Sequence, residues 1–101
     1  MHALLINPYI YDFAAYNFWS SPIGLLYIGS VLKINGFDVT LIDCLDVVDE
    51  KRKSDGRAPF LKKRADKPEA IKDIKKHFKR YGISHDEFIK RLCSVEKPDI
   101  V

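Results

Sequence analysis

Apolar positions along this chain change their period from block to block, and each block predicts an element. Ala3–Asn7 is a short continuous apolar run, ALLIN, that ends at Asn7-Pro8 and reads as a buried strand. Ile23, Leu25, Leu26, Tyr27, Ile28, Val31, Leu32 and Ile34 then fall nearly all round a helix, which predicts burial on most sides. Ser21 is suited to cap that helix, Pro22 to open it and Gly36 to close it. Asp38–Asp43, DVTLID, follows as a second strand. A strand, a crossover helix and a further strand begin an open parallel α/β sheet. Ligands bind beyond the carboxyl ends of such strands, where Asn7-Pro8 and Asp43-Cys44 lie.

Beyond Asp43 the periodicity weakens. Residues 46–68 carry Gly56, Pro59, Pro68 and many charges without a clear repeat, which predicts a charged insertion at about 45–67. Ile71, Ile74, Phe78 and Tyr81 then share one helical face, predicting an amphipathic helix from Pro68 to Gly82. Ser84-His85-Asp86-Glu87 has the form of a capping box and predicts another helix carrying Phe88, Ile89, Leu92 and Val95. Lys97-Pro98 ends it, and Asp99-Ile100-Val101 reads as the start of a third strand. A sheet cut off there leaves an apolar edge and face uncovered. The expectation is a longer parent protein, or a homo-oligomer formed through the uncovered sheet.

Length and composition set the frame for these elements. One hundred and one residues suit one small domain, and 47% apolar with 31% charged residues is ordinary for a globular protein. No apolar stretch reaches the ~20 residues that span a bilayer. The first residues also lack a basic region followed by a small-residue cleavage site, so no membrane or secretory role is expected. Cys44 and Cys93 are far apart and in no metal or redox spacing, which suits reduced thiols in a cytoplasmic protein. Charge is uneven: residues 51–80 hold thirteen Lys and Arg against four Asp and Glu, giving +9, and the remainder holds four against ten, giving −6. That basic stretch is either a solvated surface or a site for nucleic acid or an acidic partner. Phe60 and Phe78 stand alone within it, which argues against base stacking and hence against nucleic acid.

Candidate chemistry concentrates at the predicted ligand end. The 14-residue stretch 7–20 holds six aromatics, suited to packing on a flat ligand, on a neighbouring domain or under their own loop. Gly24, Gly29 and Ser30 would let the first helix approach the sheet, or a ligand approach its backbone. The glycine-rich dinucleotide fingerprint is missing after the first strand, so Asp43 reads equally as a ribose-binding acid or as a turn residue. Cys44 is a reactive thiol or a half-buried structural one, with no flanking base to activate it. His2, His77 and His85 are scattered and build no local metal site. No nucleophile–base, P-loop or paired-carboxylate arrangement is visible, so these residues contain no catalytic constellation.

The first strand ending in Asn7-Pro8, the helix opening Pro22-Ile23-Gly24-Leu25-Leu26-Tyr27-Ile28, Gly36 and Val39–Asp43 together resemble the N-terminal cobalamin-binding-like domain of B12-binding-domain radical SAM proteins. Lys79–Ser84, with Gly56 and Lys67-Pro68-Glu69 before it and Lys97–Val101 after it, is similar to one branch of that family. The resemblance covers nearly all of this chain but only the first part of a family member. It implies an α/β fold, a Rossmann-like three-layer parallel sheet in flavodoxin-like order truncated at its third strand. It also implies a corrinoid (cobalamin) over the carboxyl ends of the strands. The partner would be a radical SAM barrel whose [4Fe–4S] cluster and S-adenosylmethionine lie outside this chain. Carried onto this sequence, the contacts to the corrinoid would come from Asn7, Pro8, Pro22, Gly24, Leu25, Asp43 and Cys44, through backbone and packing rather than catalysis. The D-x-H-x-x-G motif for a lower axial histidine is missing, which argues against histidine ligation of cobalt rather than against corrinoid binding.

Overall fold

The computed structural model describes residues 1–17, 21–47, 54 and 58–101. In chain order its elements are β1 (His2–Asn7), β2 (Ile10–Asp12), α1 (Ile23–Ile34), β3 (Asp38–Asp43), β4 (Lys62–Arg64), a 3-10 turn (Glu69–Ile71), β5 (Lys79–Tyr81) and α2 (His85–Cys93). They divide between two compact units. One comprises Met1–Pro8, Ser20–Cys44 and Ser84–Val101, the other Tyr9–Trp19 and Leu45–Ile83. Phe18 and Trp19 of the aromatic loop lie outside the described residues, as do 48–53 and 55–57 of the charged insertion, Gly56 included.

In the first unit β1 and β3 pair in parallel without a break, from His2 opposite Asp38 to Asn7 opposite Asp43. Alternation sends Leu4, Ile42 and Cys44 to one face, where each is 3% exposed or less. Leu5 and Val39 point to the other face, and α1 packs there. It can do so because Gly29 has no side chain: a β-carbon at that position would lie 3.3 Å from Leu5 Cδ1 and 3.6 Å from Val39 Cγ1. Gly36 takes φ +86°, and the amides of Gly36 and Phe37 donate back to the carbonyls of Lys33 and Leu32, both at 3.0 Å. This closure satisfies two of the helix's last carbonyls and turns the chain into β3.

The far end of the chain joins the same sheet at one point. Ile100 forms a single parallel bridge to Ala3, and the Leu4 amide donates to the Ile100 carbonyl at 2.9 Å. The Asp99 amide donates to the His2 carbonyl at 2.8 Å, and Asp99 Oδ2 accepts from the His2 amide at 2.7 Å. Ahead of that segment, α2 packs against β3. Its cap is the one the sequence predicts: Ser84 Oγ accepts from the Glu87 amide at 3.1 Å. The Glu87 carboxylate meets Arg91 Nε one turn on, at 3.0 Å.

The second unit is a three-stranded antiparallel sheet in the order β2-β5-β4. Tyr81 sits opposite both Ile10 and Lys62, Arg80 opposite Tyr11 and Lys63, and Lys79 opposite Asp12 and Arg64. Its core is Ala58, Phe60, Phe78, Tyr81 and Ile83, all 8% exposed or less. Phe78 meets Phe13 edge to face at 5.5 Å, and Phe60 meets Tyr81 the same way at 6.5 Å.

These findings correct the expected architecture. The described residues do not form a Rossmann-like three-layer parallel sheet: two parallel strands and one bridged residue make one sheet, and a separate antiparallel sheet makes the other. Part of the aromatic loop becomes β2, and part of the charged insertion becomes β4. The predicted helix from Pro68 to Gly82 is confined to one 3-10 turn, and its last residues are β5. In a helix Lys72, Lys75, Lys76, Lys79 and Arg80 would repel at spacings of three and four. As found, Phe78 and Tyr81 are buried instead, while Ile74 stays 42% exposed. Helix α1 is also not buried on most sides: Ile23, Tyr27 and Ile34 are 61%, 72% and 84% exposed, and only Gly29 is enclosed. Pro22, not Ser21, occupies its N-cap, and no side chain caps it.

Two stability predictions follow from this packing. Gly29→Leu should destabilise by about 1–3 kcal/mol through overpacking. Gly24→Ala, where no atom lies within 4 Å of the added carbon, should be neutral or gain up to about 1 kcal/mol of helix propensity. Urea melts of the two variants test this, and equal effects would contradict the placement of α1. In the second unit Arg64 directly opposes Lys79, a repulsive pair. Arg64→Glu should raise the melting temperature at low salt, with a gain that fades at high salt; a salt-independent loss would contradict the register.

Candidate functional site

The carboxyl ends of β1 and β3 carry the polar cluster nearest to the sequence expectation. Because the strands are in register, Asn7 and Asp43 end side by side, and Asn7 Nδ2 donates to Asp43 Oδ1 at 2.7 Å. The next amide, that of Cys44, donates to the Asn7 carbonyl at 3.0 Å. Three of the expected residues are thus drawn together by two hydrogen bonds. Pro8 follows as an exposed residue. Pro22, Gly24 and Leu25 reach the same end through chain direction, since a crossover helix returns antiparallel to its strands. Leu25 is half-buried and, with Leu5, Gly29, Val39 and Leu41, lines a groove of about 160 Å³ beside α1.

Cys44 is only 1% exposed, more enclosed than the half-buried position expected. Burial raises its thiol pKa, the Asp43 carboxylate raises it further, and Arg91 on α2 opposes the shift. A thiol held protonated and out of solvent is a packing group, not a nucleophile. His2 lies at the opposite, amino end of β1, with its Nε2 against Thr40 Oγ1 at 2.8 Å. No other histidine occurs before His77, so the β1–α1–β3 segment offers no histidine at its carboxyl edge.

A second site lies wholly within the antiparallel unit; the sequence reading singled out two of its aromatics, Phe13 and Tyr16, but not the residues from 58 to 81 that complete it. A cleft of about 650 Å³ is walled by Phe13, Tyr16, Phe60 and Tyr81, with Lys62 and Lys79 on its border. Its two sides are tied by Asn17 Nδ2, which donates to the Ala58 carbonyl at 2.8 Å. On the other face of the sheet the Arg80 guanidinium lies 5.3 Å from the centre of the Tyr9 ring. Neither Phe60-Leu61-Lys62 nor Lys79-Arg80-Tyr81 alternates apolar with polar residues, so these strands carry no period-two signal in the sequence.

Among the described residues no group of three or more His, Cys, Asp and Glu side chains is placed to hold a metal ion. No described helix is long and apolar enough to cross a membrane. Comparison with protein-family models, with curated proteins and with solved structures finds no match to this chain.

The two cysteines provide a chemical check on the first unit. Cys93 is exposed and Cys44 is buried with a raised pKa. Iodoacetamide near neutral pH should label Cys93 and spare Cys44 until the protein unfolds. Because the folded pKa of Cys44 is raised, its contribution to stability is complete below the ordinary thiol pKa and declines as pH rises beyond it. Peptide mapping after timed alkylation reads the first effect, and equal labelling of both thiols would refute the enclosure of Cys44.

Proposed function

We propose that this chain is a non-catalytic, corrinoid-binding accessory part of a radical SAM enzyme. The observation that carries the reading is the Asn7–Asp43 pair, hydrogen-bonded across the carboxyl ends of two in-register parallel strands beside the start of α1. The residues that carry the family resemblance, Asn7-Pro8, Pro22-x-Gly24-Leu25 and Asp43, flank that edge. Open space over Gly24, where an added carbon would meet nothing within 4 Å, fits the approach of a large planar ligand to helix backbone. Asn7 and Asp43 would orient the ligand's polar side groups, Pro22 and Leu25 would supply apolar contact, and Cys44 would hold the strand end from beneath. The β1–α1–β3 segment has no histidine at this edge, so an imidazole for cobalt would have to come from outside that segment.

The reading concerns the β1–α1–β3 segment and assigns no bond-breaking step to it. Radical chemistry would belong to an iron–sulfur and S-adenosylmethionine site outside this chain. The apolar outer side of α1, with Ile23, Tyr27 and Ile34 exposed, is the surface that the associated barrel would cover. Unpaired Cys44 and Cys93 agree with a reducing, cytoplasmic setting. A rival reading, a scaffold that docks nucleic acid or an acidic protein through residues 51–80, draws support from Lys62, Lys63, Arg64, Lys79 and Arg80 on neighbouring strands.

Hydroxocobalamin retention by the protein containing this chain tests the first reading, followed by corrinoid absorbance after gel filtration. Stoichiometric retention that is insensitive to moderate salt is the expected outcome. Gly24→Leu should weaken it about tenfold, ~1.4 kcal/mol, without loss of fold. Absence of retained corrinoid in a protein with an intact iron–sulfur cluster would refute the assignment.

A further inference from the structure

The cleft in the antiparallel unit is independent of the corrinoid edge and has its own chemistry. Strand alternation places Lys62, Arg64, Lys79, Tyr81 and Asp12 on one face of the β2-β5-β4 sheet, and Lys63, Arg80 and Tyr11 on the other. The first face is the one that lines the cleft, through Lys62, Lys79 and Tyr81. Its three cations and one carboxylate sum to +2. Asp12 does not discharge that excess by pairing with Lys79: its Oδ1 accepts from the Phe13 amide at 2.6 Å. Among the described residues no carboxylate forms an ion pair with Lys62, Arg64 or Lys79. Arg64 and Lys79 stand directly opposite each other, so the sheet retains a repulsion at the border of a concavity.

The wall beside these cations is aromatic. Phe60 and Tyr81 are 8% and 4% exposed and locked edge to face, and Tyr16, by contrast, is 72% exposed. About 650 Å³ is within the range of roughly 300–1,000 Å³ typical of small-molecule sites. Buried rings of this kind can wall a pocket for one flat group, but they are not the exposed platforms on which successive bases of a strand stack.

We propose that this cleft binds a small phosphate monoester carrying a flat ring, with the phosphate on Lys62 and Lys79, Arg64 adding charge from the position opposite Lys79, and the ring against Phe60, Tyr81 and Tyr16. A phosphate monoester carries close to two negative charges at neutral pH, which matches the excess on this face. Binding it relieves the Arg64–Lys79 repulsion, so the ligand should also stabilise the antiparallel sheet.

Adenosine 5′-monophosphate is the probe, with adenosine and inorganic phosphate as its two halves, titrated against the full chain and followed by backbone amide NMR. The expected result is shifts at Phe60, Lys62, Lys79 and Tyr81, with AMP binding more tightly than either half. Lys62→Gln with Lys79→Gln should weaken AMP about tenfold or more through loss of charge-assisted hydrogen bonds. Lys63→Gln, on the opposite face, should leave binding unchanged. Lys62 and Lys63 are exposed and Lys79 is half-buried, and thermal melts of the variants show whether each keeps the fold. Three results would overturn the proposal: no cleft shifts at millimolar AMP, adenosine binding as well as AMP, or a short single-stranded oligonucleotide binding with equal sensitivity to Lys62→Gln and Lys63→Gln. The last would assign the basic strands to a nucleic-acid surface. Corrinoid retention is read separately and does not affect any of these outcomes.

Discussion

The in-register parallel pairing of β1 with β3 is the constraint on which the first unit is built. Six consecutive residue pairs align the two strand ends, and that alignment alone puts the Asn7 amide within 2.7 Å of the Asp43 carboxylate. A slip of one residue would exchange the faces of every side chain on β3. Ile42 and Cys44 would then leave the enclosed face, and Val39 would leave the surface on which α1 rests. Parallel pairing needs a crossover, and the crossover is close because Gly29 is bare. The polar cluster at the strand ends, the thiol beneath it and the path of α1 are therefore consequences of one register.

The second unit runs on a different balance. Its strands are three residues long, too short for backbone pairing alone, and its aromatic core supplies the cohesion. Phe13, Phe60, Phe78 and Tyr81 gather from three separate stretches of chain. Against this the sheet carries two like-charge pairs, Lys63 with Arg80 and Arg64 with Lys79. Apolar burial outweighs their repulsion: each pair joins an exposed residue of β4 to a half-buried one of β5, and charges with access to water interact by only a fraction of a kcal/mol to about 1 kcal/mol. One of these pairs faces open space beside a cleft, where added negative charge can offset it.

The parts legible in the amino-acid pattern were those with strong local signals. The run ALLIN, the helix closed by Gly36, the strand DVTLID and the Ser84 cap of α2 all occur where the pattern places them. Asn7, Asp43 and Cys44 also meet as the topology expects. What escaped was structure decided by distant partners. Ile71, Ile74, Phe78 and Tyr81 have helical spacing, but Tyr81 lies in β5, paired with β4 and with β2 about seventy residues earlier, and Phe78 beside it packs on Tyr11 and Phe13. Three-residue strands contain too little alternation to announce themselves. The exposure of α1 could not be read from composition either, because an apolar helix shows what it can bury and not whether a neighbour covers it. The cleft was invisible for the same reason as the short strands that frame it.

The bridge between Ala3 and Ile100 has a consequence for how the chain acquires its structure. On the ribosome β1 emerges well before residues 99 and 100, and one of its hydrogen-bonding edges stays open until they arrive. Closing a loop of nearly the whole chain is slow compared with forming α1 or α2. Through that interval the apolar strand ALLIN has a bare flank that can recruit another nascent copy. Temperature and expression rate should therefore decide the yield of correctly paired protein more than equilibrium stability does.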